Sequence, residues 1–137
     1  MKIRRLDHVS FAVADVAATT GLLQRLLGLP VTLDTRFGNT RKTLMEAGNA
    51  KLELLHSDDA TSRTGAFLAE RGPGFFHLCF EVEDVAEAAR TLAAQGVGLL
   101  DAAPIRTLEG GLAIFADPAA TGGILLEFKQ PAPASPP

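Results

Sequence analysis

The sequence predicts an α+β chain made of two βαβββ modules related by a pseudo-twofold axis, their curved mixed sheet enclosing a metal-binding cavity. Two observations predict it. The stretch LDHVSFAVADV (Leu6 to Val16) is written again as FFHLCFEVEDV (Phe75 to Val85), which aligns His8 with His77, Phe11 with Phe80 and Val13 with Val82. That spacing is about half of the 137 residues, too long for a solenoid repeat and suited to an internal duplication. The same order of elements, a strand, a helix and three further strands, then follows each copy.

In the first copy Ile3 to Val13 alternates as a half-buried strand, with Val9, Phe11 and Val13 on one face and Leu6, His8, Ser10 and Ala12 on the other. Asp15 is placed to cap a helix whose apolar stripe reads Val16, Leu22, Leu23, Leu26 and Leu27, and which Gly28 and Pro30 end. PVTLDTR, TRKTLMEAG and AKLELLHS supply three strands, punctuated by Gly38-Asn39 and Gly48-Asn49. In the second copy Asp84 caps VAEAARTLAAQG, and VGLLDAAPIR, LAIFADP and GGILLEFKQ supply the strands. The first module is expected over 1–58, a linker with a short helix over 59–74, the second module over 75–130, and a disordered proline-rich tail over 131–137. Helices cover only one face of each four-stranded sheet, so the uncovered faces are expected to line one cavity.

Composition narrows the partners. A net charge of −3 leaves no basic footprint for nucleic acid. No apolar run reaches the roughly 20 residues of a membrane span, and MKIRRLDHVS has no apolar h-region, so no signal peptide is expected. The single Cys79 excludes an intrachain disulfide and fits a reducing, cytoplasmic setting. Cys79 reads as a buried, inert thiol, and His56, which has no duplicate, reads as surface.

The chemistry lies in what the two copies share. His8 and His77 sit on the faces with the smaller and more polar neighbours. Glu53 in KLELL and Glu127 in LLEFK lie between apolar residues on the last strand of each copy. Singly, such a histidine is usually structural and such a glutamate usually marks a solvent face. Four at duplicated places point elsewhere, because carboxylates desolvated among leucines need a partner. Two imidazoles and two carboxylates meeting in one cavity form an N2O2 set that suits one divalent cation, among Co, Mn, Ni, Zn or Mg.

With these residues in view, the chain resembles the vicinal oxygen chelate superfamily (glyoxalase, bleomycin resistance, dioxygenase), and within it is most similar to the methylmalonyl-CoA epimerase branch. LDHVSFAV, AGNAKLELLH, GAFLAERGPGFFHLCFEVEDV and FADPAATGGILLEF carry the resemblance, across residues 5 to 130. It implies the glyoxalase-like fold, metal ligation by His8, Glu53, His77 and Glu127, an acyl-thioester substrate and a homodimer. It also places Lys42 where several epimerases carry a glutamate base, with Glu46 four residues on. A lysine serves there when burial or a neighbouring cation favours the neutral amine. The implied reaction removes a proton α to a thioester carbonyl, with Glu127 as base and the cation as Lewis acid. A glyoxalase I-like lyase acting on a glutathione hemithioacetal and a non-catalytic small-molecule-binding protein are the alternatives. Glu53 as a fourth ligand argues against a ring-cleaving dioxygenase.

Overall fold

A computed structural model describes residues 1–136. The chain forms two compact units, one spanning His8–Phe76 and the other joining Met1–Asp7 to the chain from His77 onward. Both divisions fall inside continuous strands, β1 (Ile3–Ala12) and β5 (Gly74–Val82), and each falls immediately before a duplicated histidine.

In the first unit, β1 is followed by α1 (Val16–Leu27), β2 (Val31–Phe37), β3 (Thr40–Glu46), β4 (Lys51–Ser57) and α2 (Arg63–Arg71). The strands lie in the order β2-β3-β4-β1, with β4 parallel to β1 and the other pairs antiparallel. The Asp15 side chain accepts from the Ala18 N–H at 3.0 Å and so begins α1. Gly28, at φ 66°, ends it by donating to the Gln24 carbonyl at 2.9 Å. The buried stripe of α1 keeps only Val16 and Leu23 of the five apolar residues expected in it. Val16 and Leu23 pack on Met45, Leu54, Phe11 and Val13, whereas Leu22, Leu26 and Leu27 are exposed. Thr20 takes the core-facing place between Val16 and Leu23, and it is tolerated there because its hydroxyl bonds that of Thr43 at 3.0 Å.

The second unit carries α3 (Val85–Ala94), β6 (Ile105–Arg106), β7 (Leu112–Ala116) and β8 (Leu125–Gln130), with strand order β5-β8-β7-β6. Asp84 caps α3 through the N–H groups of Ala86 and Glu87, the counterpart of Asp15 on α1. Val82, Val85, Ala88, Leu92, Ile114, Ala116 and Phe128 form the core beneath α3. The strand expected over VGLLDAAPIR is largely absent. Only Ile105–Arg106 pair as a strand, with one bridge from Leu99 to Ala116. Pro104 has no N–H to give a ladder, and the Asp101-Ala102-Ala103 stretch before it bends away. The N-terminal residues are bound into this unit by charge. Lys129 Nζ donates to the buried Asp7 at 2.9 Å, and Arg5 reaches both Asp7 and Glu81 at 3.2 Å. Residues 131–136 form neither helix nor strand.

Candidate metal centre and active site

Strand parity positions the site in each module. Leu52 and Leu54 on β4 turn toward α1, so Glu53 between them turns to the opposite face. Phe11 on β1 and Val13 just beyond its end share the α1 side, which leaves His8 and Ser10 beside Glu53. All three polar side chains are buried. His8 Nε2 lies 3.6 Å from Glu53 Oε2, and Ser10 Oγ donates to Glu53 Oε1 at 2.8 Å. On β3 Leu44 stands directly opposite Glu53, and Lys42, one diagonal step along, brings its Nζ to 3.3 Å from Glu53 Oε2. A carboxylate that would be costly to desolvate alone is thus met by an imidazole, a hydroxyl and an ammonium.

The second module repeats the plan. Leu126 and Phe128 on β8 face α3, so Glu127 faces the other way, and its Oε1 lies 3.2 Å from His77 Nε2. Phe115, opposite Glu127 on β7, sits edge-on to the His77 ring with centroids 5.6 Å apart. Cys79, opposite Glu127 on β5, is fully buried. Burial pushes its thiol far up from the ordinary range, and the charge of Glu127 with a hydrogen bond to that carboxylate pushes it the same way. Burial pulls Lys129 down, but its bond to Asp7 and the charge of Asp7 outweigh that and hold it raised.

The modules differ on their third strands. By strand register, the second-module position equivalent to Lys42 is Ala113, which pairs with Lys129 as Lys42 pairs with Leu55. The lysine therefore belongs to the first module alone.

Each pair fits a cation. Adjacent donors about 2.0–2.2 Å from one metal, at tetrahedral or octahedral angles, stand roughly 2.8–3.6 Å from each other. The 3.2 Å His77–Glu127 separation falls within that range and the 3.6 Å His8–Glu53 separation at its upper edge. Imidazole nitrogen with carboxylate oxygen is the donor chemistry that first-row divalent metals accept.

Other polar and charged residues have structural duties. Glu46 accepts from the Gly48 N–H at 3.2 Å in the β3–β4 hairpin, away from Glu53 along the strand. Arg41 pairs with Asp34, and Arg71 lies over the Phe67 ring at 5.8 Å. His56, expected at the surface, is half-buried, with Nδ1 at 2.8 Å from the Val13 carbonyl and Nε2 at 2.9 Å from Asp58. Both neighbours are acceptors, so they favour the doubly protonated ring. The Asp58 bond, followed by the Val13 bond, outweighs burial and raises His56 above its ordinary 6.5. A raised folded-state pKa stabilises fully below the unfolded value and loses that stabilisation as pH rises through the folded value. His56→Gln is therefore expected to remove a small increment of thermal stability that the native chain shows below pH 6.5 and loses above it. Melting both proteins across that range checks this, and parallel curves at every pH would contradict it.

Residues 7–115 match the glyoxalase/bleomycin resistance protein/dioxygenase superfamily, and the chain belongs to that superfamily. Its α+β fold of two βαβββ modules agrees. Among relatives, it is 32% identical to an ethylmalonyl-CoA/methylmalonyl-CoA epimerase of Cereibacter sphaeroides, over 93% of this chain and 98% of that protein. Methylmalonyl-CoA epimerase from Mycobacterium tuberculosis superposes with a TM-score of 0.88 at 30% identity, over 96% of this chain and 90% of that one. A variant of the Streptomyces coelicolor methylmalonyl-CoA epimerase in complex with 2-nitronate-propionyl-CoA superposes with a TM-score of 0.87 at 26% identity, covering 96% of this chain and all of that one. Among the described residues, no helix is long and apolar enough to cross a membrane.

Proposed function

We propose that this chain is a methylmalonyl-CoA epimerase-type isomerase, which inverts the carbon α to a thioester carbonyl. The observation that carries the reading is the buried histidine–carboxylate pair, present once in each module of a chain that aligns along nearly its whole length with epimerases. In this reading His8, Glu53, His77 and Glu127 hold one divalent cation. When bound, that cation supplies Lewis acidity at the oxygens of the substrate.

The remaining work falls to side chains. Glu127 takes the α-proton, and the electron pair left on carbon delocalises onto the thioester carbonyl oxygen. The flanking apolar Phe115 and the buried strand face keep water from competing for it. Lys42, the ammonium unique to the first module, returns a proton to the opposite face. Turnover then leaves Glu127 protonated and Lys42 neutral, and exchange with solvent resets both. The reverse reaction uses the same groups with their roles exchanged. Ion pairing with Glu53 fixes the Lys42 side chain before substrate arrives.

The acyl group is a branched malonyl thioester and the carrier is coenzyme A. The lyase alternative is not favoured by relatives that are epimerases. A second copy of the chain is expected as partner, since outer strand β2 and the exposed Leu22, Leu26 and Leu27 offer surface for it to cover. A reducing compartment, the cytoplasm, suits the lone buried thiol. Racemisation of a single epimer of methylmalonyl-CoA in deuterated water tests the function. Deuterium should enter the α-carbon as optical activity disappears. Turnover of a glutathione hemithioacetal without such exchange would replace this reading with the lyase.

A further inference from the structure

The duplication extends past the four ligands. Two residues after each histidine stands a small polar residue, Ser10 in one module and Cys79 in the other. Each is fully buried, and each lies directly opposite the carboxylate of its own module on the neighbouring parallel strand, Ser10 against Glu53 and Cys79 against Glu127. Neighbouring strands run about 4.8 Å apart, so side chains so paired on one face meet.

We propose that Ser10 and Cys79 are a duplicated pair of positioning residues, and that the change from hydroxyl to thiol divides the labour between the carboxylates: Glu53 is pinned as a permanent ligand while Glu127 is left able to swing. The second half of this statement rests on the reading of Glu127 as base. Ser10 donates to the Glu53 carboxylate at 2.8 Å, the usual length of a well-formed O–H···O bond. A thiol is a weak donor with a larger atom, so it aims a carboxylate without holding it hard. The other acceptor of the Cys79 thiol, the Phe80 carbonyl, stands at 4.0 Å, the outer limit for sulfur. Among positions facing the two carboxylates, this is where one module could have copied the other and keeps a donor of different strength.

The first test needs neither metal nor substrate. Cys79 is the only cysteine, so the S–H stretch in the infrared is a single band. In the metal-free protein that band is expected at the low frequency of a thiol bonded to a carboxylate, and it should move in Glu127→Gln. A band that ignores Glu127→Gln would overturn the assignment of Cys79. The second test titrates the metal-free variants with Co2+ and follows its visible spectrum. Ser10→Ala should weaken cobalt binding by about 10–100-fold, the usual cost of losing a partner behind a ligand. Ser10→Cys should recover part of it. Cys79→Ser should bind cobalt at least as tightly as the native chain, yet lose tenfold or more in kcat for α-proton exchange at unchanged KM. Native cobalt affinity in Ser10→Ala, or undiminished kcat in Cys79→Ser, would overturn the division of labour. If the infrared and cobalt results hold while the native protein exchanges no α-proton, the positioning roles stand and the epimerase reading fails.

Discussion

Replacing Glu127 with glutamine is expected to lower both epimerisation and solvent-deuterium entry by about 10²–10⁴-fold, the range that a positioned general base contributes. The substitution keeps the size of the side chain and an amide oxygen able to coordinate weakly, but it removes the carboxylate proposed to accept the proton. His8, Glu53 and His77 should still take up a cation in the variant, with reduced affinity. The result to look for is therefore loss of turnover in protein shown by elemental analysis to carry metal. Glu127→Gln that is metal-loaded and exchanges deuterium at the native rate would remove Glu127 from the base's role. The neighbouring contacts give the substitution a second signature. Because His77 Nε2 lies 3.2 Å from Glu127 Oε1, the imidazole loses its charged partner, and its ring resonances should shift even in the metal-free protein.

Lys42→Ala has a different expected signature. If Lys42 supplies the proton to the opposite face, the variant should lose inversion by about 10²–10⁴-fold while Glu127 continues to remove and return a proton on its own face. Deuterium would then enter with retention of configuration. The Lys42–Glu53 contact makes a further consequence measurable. Removing the ammonium frees Glu53 Oε2 from a competing positive charge, so cation affinity should hold or rise. Parallel loss of exchange and inversion, expressed as a higher KM, would instead assign Lys42 to substrate binding.

Much of this arrangement is legible in the sequence because it is written twice. A histidine third in each repeated strand and a glutamate between apolar residues on the last strand of each module mark four positions that the fold buries. Parity does the rest, since Leu52 with Leu54 and Leu126 with Phe128 turn toward the helices and leave their glutamates on the other face. What the sequence hides is register. The contact of Lys42 with Glu53 depends on Leu44 lying opposite Glu53, and nothing local to either strand fixes that offset. The same holds for Asp7 with Lys129, distant in sequence and joined only by the fold. The signal for Ser10 and Cys79 was present as a shared place after each histidine, but serine and cysteine do not look alike until both face a carboxylate. Helix α1 misleads for another reason: its leucines outnumber the places that face the core, so Thr20 is buried while Leu26 is exposed. VGLLDAAPIR looks like a strand by hydrophobicity, and Pro104 prevents it from becoming one.

The two histidine–carboxylate pairs can serve one cation together or two cations apart, and counting the bound metal separates these directly. The measurement is a titration of chelator-treated protein with Co2+, repeated on His8→Ala and His77→Ala. One cation per chain is expected in the native protein, and either substitution alone should abolish tight binding, because each removes a ligand from the same ion. Two cations per chain, each lost with only one of the histidines, would contradict the account, as would a single cation that survives His77→Ala at full occupancy.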